Sequence, residues 1–277
     1  MPKEPQEPQH HSDSRNVIVE QHDSILRLTL NRPDAGNAIN YAMLETISDA
    51  LRGVNDDPEV RAVVIGAAGG DFSVGHDRSG MGEWPQALAD RAPAGSHGPA
   101  PLPEQRALTA LRNVTKPTVA LVRGRCIGLG LDLACVCDVR LAADTASFAD
   151  DRVANAEAPA TGITYTLPRL VGLSQAMRIV LLAETIAAAE AARIGLVFRV
   201  VPRAEFDEQA QRLVTTIANL PTRAYEVHKL QVLPQLDMSY EAALVHCLGV
   251  RQTHVIEDRA EGVRAWLEKR APEWTGR

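Results

Sequence analysis

The stretch of sequence that decides the fold is residues 122–134, VRGRCIGLGLDLA. The apolar run that leads into it, residues 117–122, is typical of a buried strand. Three glycines then allow a tight turn, and the apolar residues around Asp132 predict a helix with this aspartate in its first turn. Unpaired N–H groups at such a helix start can hold a developing oxyanion, although an ordinary strand-to-helix turn has the same pattern.

A second glycine loop lies upstream. Residues 69–81 read GGDFSVGHDRSGM and follow the apolar run at 60–65, which predicts another buried strand. Because each loop follows a strand, the two loops could supply one backbone N–H each to a single carbonyl oxygen.

The apolar spacing along the chain predicts an α/β fold, because strand patterns alternate with helical patterns as far as Pro202. Strands at 17–20 and 25–30 predict an opening hairpin, and Asn40 is placed to cap the first helix. After Pro202 the pattern is helical only. The predicted divisions are a disordered leader at 1–15, a core at 16–202 with a mobile loop at about 84–103, and a helical C-terminal region at 203–277.

Composition excludes several classes of protein. The 277 residues are 45% hydrophobic and 23% charged, as in ordinary globular proteins, and the net charge of -6 argues against nucleic acid as a partner. No apolar stretch has membrane-spanning length, so we expect a cytoplasmic protein with no membrane partner. Four cysteines predict reduced, buried thiols, and we expect no metal site because Cys135 and Cys137 have no second Cys or His pair nearby.

Over residues 17–277 the chain resembles the crotonase superfamily, also called the enoyl-CoA hydratase/isomerase family. The resemblance implies a spiral of ββα units and a helical C-terminal region that forms homotrimers or dimers of trimers. It also implies an acyl-CoA thioester substrate, with coenzyme A as part of that substrate and no permanently bound cofactor. The matching motifs are Asn31-Arg32-Pro33 with Asn37-Ala38, the loop from Phe72 through Gly75 to Asp77, residues 124–132, Cys137-Asp138, residues 167–172 and residues 261–270.

The resemblance implies two backbone donors and one catalytic carboxylate. The N–H groups of His76 and Leu129 would form an oxyanion hole, with Leu129 standing where glycine is usual, and Asp132 would be the catalytic acid/base residue. Trp266 and Lys269 are spaced to share one face of a helix that closes over the ligand, often on a neighbouring subunit, although any amphipathic helix has this spacing. The implied substrate-binding and CoA-binding residues are Gly36, Ala38, Gly75, Asp77, Gly128, Arg152, Trp266 and Lys269.

The acid/base residues depart from the family pattern. Hydratases of the family use two glutamates, and Arg152 stands at the position of the second, where it cannot act as a general base. A third carboxylate position, used by isomerases, holds Ala160. A pair between Arg152 and Asp132 is expected to lower the pKa of Asp132. Three carboxylates close by could replace the missing glutamate, namely Asp150, Asp151 and Glu157.

The leading hypothesis from the sequence is an acyl-CoA enzyme that stabilises a thioester enolate, with enoyl-CoA hydratase as the activity. One alternative is an isomerase or decarboxylase with non-standard acid/base residues, and another is a catalytically silent acyl-CoA-binding protein. If Arg152 is what slows hydration, the substitution Arg152→Glu should raise it.

Overall fold

The structure is a computed structural model, and it describes residues 16–79 and 102–277. The predicted leader at 1–15 and residues 84–101 of the predicted loop lie outside these ranges. Pro103, the last residue of that predicted loop, is the first residue of a helix. Within the described ranges, no helix combines the length and the apolar character needed to cross a bilayer.

The strands of the described residues form two sheets. They are β1 (Val17–His22), β2 (Ile25–Leu30), β3 (Ala62–Ala67), β4 (Thr118–Val122), β5 (Arg125–Ile127), β6 (Val139–Ala143), β7 (Ser147–Ala149), β8 (Ile186–Ala187) and β9 (Arg199–Val201). The larger sheet has the order β1-β2-β3-β4-β6-β9 and the smaller one β5-β7-β8. Because β4, β6 and β9 join the larger sheet while β5, β7 and β8 join the smaller, the chain adds strands to both sheets as it advances. This is the topology that a spiral of repeated units requires.

The opening hairpin is confirmed. β1 pairs antiparallel with β2 in a register that sets His22 opposite Ile25. The two turn residues, Asp23 and Ser24, both have positive φ, as the tightest hairpin turns require. β1 ends at His22 and is two residues longer than the strand predicted at 17–20, because its pairing with β2 continues to the turn.

Helices cover the sheets and form the C-terminal region. They are α1 (Tyr41–Ala50), α2 (Pro103–Arg112), α3 (Leu129–Val136), α4 (Ile163–Val171), α5 (Leu173–Leu182), α6 (Ala188–Arg193), α7 (Phe206–Ala218), α8 (Thr222–Gln235), α9 (Tyr240–Thr253) and α10 (Asp258–Glu268). Asn40 caps α1 as predicted, since its Oδ1 accepts a hydrogen bond from Met43 N at 3.0 Å. Among the described residues no strand follows Val201, which agrees with the predicted change to a helical region.

Two apolar cores lie on opposite faces of the larger sheet. One contains inward side chains of α1, α2 and α3, among them Met43, Leu111 and Leu131, and the other lies under α7. Cys126, Cys135 and Cys137 are free thiols buried in the first core, as predicted. Cys247 is also a free thiol but is only partly buried, so the prediction of burial is wrong for this residue. Burial raises the pKa of Cys135 and Cys137 to about 12. Within the described ranges, no group of three or more His, Cys, Asp or Glu residues could hold a metal ion.

Candidate active site

The two glycine loops meet in the structure. Ser73 N donates to Arg125 O and Ile127 N donates to Ser73 O, both at 2.9 Å, so the segment after Ser73 runs beside β5. Gly75 has a φ of +98°, and a Cβ on it would lie 3.0 Å from Ile127 O and 3.6 Å from Leu129 N. Only glycine combines this backbone conformation with such a close approach. The sequence prediction that the loops come together is therefore supported by direct backbone contact.

The direction of the His76 N–H follows from the peptide bond before it. The carbonyl of Gly75 accepts a hydrogen bond from Ile39 N, and Asp77 N donates to Ile39 O, both at 2.8 Å. Because the C=O and N–H of a trans peptide point in opposite directions, the His76 N–H points away from Ile39 and toward the side on which β5 lies. The His76 ring packs edge-on against Tyr41, with ring centroids 5.6 Å apart.

The Leu129 N–H is directed by the start of α3. Gly128, with a φ of +53°, precedes the helix, and its carbonyl accepts from Asp132 N at 3.0 Å. That carbonyl points into the helix, so the Leu129 N–H on the same peptide points out of its N-terminus, where the helix dipole adds positive potential. The Leu129 side chain is buried in the core. The leucine side chain at this position, where the resemblance implies glycine, therefore leaves the direction of the backbone N–H to the helix start.

The turn at Gly36 and Ala38 lies beside the glycine loop that carries His76. Arg32 connects this turn to that loop, because its Nη1 donates to Ala38 O at 2.6 Å and to Asp77 Oδ2 at 2.7 Å. Gly36 has a positive φ, and its carbonyl accepts from Val74 N at 2.9 Å. The predicted CoA-binding residues Gly36 and Ala38 thus adjoin the predicted oxyanion loop.

Asp77 is held by Ser79 of its own loop and by Arg32, which precedes the turn at Gly36. Its Oδ1 accepts from Ser79 N and from the Ser79 hydroxyl, and its Oδ2 accepts from Arg32. The Ser79 hydrogen bond and Arg32 lower the pKa of Asp77, although burial opposes them. Asp77 therefore braces the loop that carries His76.

The predicted catalytic aspartate belongs to a buried cluster of charges. Arg152 Nη2 donates to Asp132 Oδ2, and Nη1 lies 3.3 Å from Asp132 Oδ1 and 3.0 Å from Asp150 Oδ2. The Thr161 hydroxyl also donates to Asp132 Oδ2. Both carboxylates have side chains only 1% exposed. The pair between Arg152 and Asp132 that the sequence indicated is present, and it includes Asp150 as a third member.

Arg152 lowers the pKa of Asp132, as predicted, but the net shift of that pKa is upward. Burial raises the pKa of Asp132 to about 6, although the Arg152 charge and the hydrogen bonds from Arg152 and Thr161 lower it. The free energy needed to remove the ionised carboxylate from water is larger than the free energy gained from these partners. The nearby Asp150 charge raises the pKa of Asp132 further.

The three alternative carboxylates have different surroundings. Asp150 is engaged by Arg152, and Asp151 forms a 2.8 Å ion pair with Arg78. Glu157 is half-buried, and its backbone N donates to Arg152 O at 2.9 Å. Asp150 and Asp151 are thus each bound to a guanidinium.

Sequence reasoning missed Glu104, a buried carboxylate in the first turn of α2. It follows a stretch without periodicity, so no element was predicted to include it. A signal was nevertheless present: Ala107, Leu108 and Leu111 stand three, four and seven residues after it, which is the spacing of one helix face. A glutamate on an otherwise apolar helix face is a marked departure from the usual pattern.

Trp266 and Lys269 are placed differently from the prediction. α10 ends at Glu268, and Lys269 is its C-cap with a left-handed backbone, so the two residues do not share a helix face. Trp266 is largely exposed and lines an apolar groove with Val263 and Trp274, all within the C-terminal region.

Comparison with known proteins identifies the family of the chain. The family model described as enoyl-CoA hydratase/isomerase matches residues 20–277. A Mycobacterium bovis protein named "Probable enoyl-CoA hydratase" is 34% identical over 267 residues, which are 94% of this chain and 98% of that protein. A crotonyl-CoA hydratase of Syntrophomonas wolfei is 32% identical over 257 residues, 92% of this chain and 96% of its own.

Solved structures confirm the fold. The enoyl-CoA hydratase of Bacillus anthracis superposes with a TM-score of 0.84 and 27% identity, covering 95% of this chain and 100% of that one. The crotonase-like α/β fold expected from the sequence is therefore confirmed, with its helical C-terminal region. The family match and the relatives above 30% identity lead to one conclusion: the chain belongs to the enoyl-CoA hydratase/isomerase family.

Proposed function

We propose that the chain is an enoyl-CoA hydratase that adds water across the double bond of an enoyl-CoA thioester. The observation that carries this proposal is the meeting of the two glycine loops. The His76 N–H points away from Ile39, and the Leu129 N–H points out of the N-terminus of α3. Addition to the double bond places negative charge on the thioester oxygen, and two preorganised donors lower the free energy of that state.

Asp132 is the proposed acid/base residue. Its pKa of about 6 lies near neutral pH, where a carboxyl group exchanges protons most effectively. Arg152 occupies the position of the second family glutamate and holds Asp132 in place together with Thr161. In this arrangement Arg152 is a positioning residue.

The substrate is proposed to lie along the loops, with its CoA portion beside Gly36 and Ala38. Trp266 and Lys269 are proposed to close over that portion from a neighbouring subunit, since Trp266 is exposed on its own chain. No metal or permanent cofactor enters the proposed step.

Two measurements test the proposal separately. Calorimetry with butyryl-CoA, which cannot be hydrated, should detect binding at concentrations below a millimolar. Loss of the enoyl absorbance of crotonyl-CoA should then detect turnover. Failure to bind butyryl-CoA would refute the proposal that the chain binds acyl-CoA thioesters. Binding without turnover of any enoyl-CoA would favour a catalytically silent acyl-CoA-binding protein.

Isomerisation is the second candidate activity. It is favoured because Arg152, which lies beside Asp132, cannot act as a second general base. Moving a double bond requires one group to shift a proton between two carbons, so a single carboxylate suffices. Supplying 3-enoyl-CoA and following the appearance of the 2-enoyl product distinguishes this activity from hydration.

We also propose that the chain assembles as a homotrimer or a dimer of trimers. α9 exposes Leu244, Val245 and Leu248, and Val245 is 74% exposed. Apolar side chains clustered in this way mark an interaction surface. Light scattering should return a multiple of the 30.0 kDa chain mass at micromolar concentration, and a monomer mass would refute the assembly.

A further inference from the structure

We propose that Glu104 is the second acid/base carboxylate of this site and takes the role that Arg152 cannot fill. This inference rests on the proposed hydratase function and extends it to a residue on a different element, the first turn of α2.

Glu104 is buried without a partner for one of its oxygens. The residue is 6% exposed, and within residues 16–79 and 102–277 its Oε2 is fully buried and accepts no hydrogen bond. A carboxylate oxygen removed from water without a partner is costly, so such groups are rare in folded proteins unless a ligand or function accounts for them. A bound water or substrate group would supply the missing partner.

The position of Glu104 connects it to the catalytic cluster. The next residue, Gln105, donates from Nε2 to Ala160 O at 2.8 Å. The residue after Ala160 is Thr161, whose hydroxyl donates to Asp132 Oδ2. The start of α2 is therefore tied to the segment that holds Asp132.

The side of α2 that carries Glu104 faces inward. Ala107, Leu108 and Leu111 lie on the same helix face and belong to the core shared with α1 and α3. Asp132 lies in the first turn of α3, and α2 packs against that helix. Glu104 thus enters the interior from the end of α2 that is hydrogen-bonded to Ala160, the residue before Thr161.

Glu104 differs from Asp132, Asp150 and Asp151 in the hydrogen bonds that its oxygens accept. A carboxylate offers about four lone-pair directions, and Asp132 uses three of them for Arg152 and Thr161. Asp150 and Asp151 are bound to guanidinium groups. Among the described residues, Glu104 is a buried carboxylate that keeps one oxygen without a protein partner, and that oxygen could accept from a water molecule.

The step balances with two carboxyl groups. As the water oxygen bonds to Cβ, its O–H bond breaks and the proton passes to Glu104, while the double-bond electron pair moves to the thioester oxygen. The enolate then returns its electrons to Cα, which takes a proton from Asp132. A proton passes from Glu104 to Asp132 through water to reset the site, so the net change is the addition of one water molecule and no oxidant is needed.

The test substitutes Glu104→Gln, which keeps the size of the side chain and removes its ability to take a proton. We expect kcat for crotonyl-CoA hydration to fall by about a hundredfold or more, with the Kd for butyryl-CoA changed by less than about threefold. Glu104→Asp, which keeps the carboxyl group, should recover part of that loss, and it also provides the measurement if Glu104→Gln does not fold.

A matched control is Glu226→Gln. Glu226 is also buried, at 5% exposure, but it lies on α8 and accepts from Thr115 and Arg223. Loss of a buried charge alone would affect both variants, whereas loss of an acid/base group lowers kcat and removes a limb of its pH profile only in Glu104→Gln.

The outcomes separate the two proposals. Wild-type turnover that is unchanged in Glu104→Gln overturns the role of Glu104 and leaves the hydratase standing. Equal losses of kcat in both glutamine variants also overturn that role. A wild-type protein that binds butyryl-CoA but turns over no enoyl-CoA overturns both proposals.

Discussion

The two glycine loops and the buried charged cluster of Asp132, Arg152 and Asp150 form the two halves of the proposed site, and they depend on different properties of the chain. At His76 and Leu129 the backbone would supply the donor, and the side chains pack against Tyr41 and in the core. In the charged cluster, side-chain identity decides which proton transfers are possible. A change of residue type therefore has opposite consequences in the two regions.

The resemblance implies a departure from the family pattern in both regions. At Leu129, where it implies glycine, the helix start directs the backbone N–H whatever the side chain. At Arg152, where it implies glutamate, the side chain carries a permanent charge that Asp132 and Asp150 neutralise. In the proposed site, the donor half would tolerate such an exchange and the acid/base half would not.

Arg152→Met should have the largest effect, because it leaves two buried carboxylates without their cation. Breaking a buried pair in this way costs about 3–5 kcal/mol in the free energy of unfolding, and urea denaturation measures it. Arg212→Met is the control, since Arg212 forms an exposed pair with Glu208 worth about 0.5 kcal/mol or less. Similar losses in both variants would show that the cluster is not buried as described.

The same burial revises the expectation for Arg152→Glu. That substitution would bring three carboxylates together in the interior, and it is now expected to destabilise the fold before it can raise hydration. A double substitution that also changes Asp150 to Asn removes one of those charges and is the sharper way to restore a glutamate.

Gly75→Ala tests the donor half of the site. The added Cβ would lie 3.0 Å from Ile127 O at a positive φ, which shifts the peptide that carries the His76 N–H. Loss of one oxyanion donor lowers kcat by about 10²–10³-fold, measured on crotonyl-CoA. Gly53 also has a positive φ, of +79°, but a Cβ on it would meet no atom within 4 Å, so full activity of a Gly53→Ala control would assign the loss to the loop contact.

Asp132→Asn tests the acid/base half of the site. Its amide has the size of the carboxylate and cannot take a proton, so kcat should fall by about a hundredfold with little change in thioester affinity. Turnover that survives undiminished would show that Asp132 is structural. The comparison between the two regions would then have to be redrawn around another carboxylate.

The pH dependence of stability should show the smallest effect. Between pH 3.8 and about 6 the folded chain holds a proton on Asp132 that the unfolded chain has released. The free energy of unfolding contributed by Asp132 therefore falls as the pH rises through this window, by about 1–3 kcal/mol. Urea denaturation of the wild type and Asp132→Asn at several pH values isolates this contribution, and a constant difference would contradict the raised pKa.

Much of the fold and half of the site could be predicted from the sequence. The hairpin, the cap at Asn40, the strand before Gly124 and the helix that contains Asp132 all follow from local periodicity and turn chemistry. The approach of the two loops also had a sequence signal, because glycines at 75 and 128 leave room for it. Such features depend on residues near one another along the chain.

The surroundings of the acid/base residues in the proposed site could be learned only from the tertiary structure. That Arg152 binds Asp150 as well as Asp132, that burial outweighs this pairing in the pKa of Asp132, and that Glu104 lies inside are consequences of packing between distant elements. The free energy of a charge depends on how much water surrounds it and on which partners it meets, and local sequence patterns specify neither. The meeting of the two loops could be predicted from glycine positions, and the resemblance implied the backbone donors, whereas the partners of the buried carboxylates required the three-dimensional arrangement of side chains.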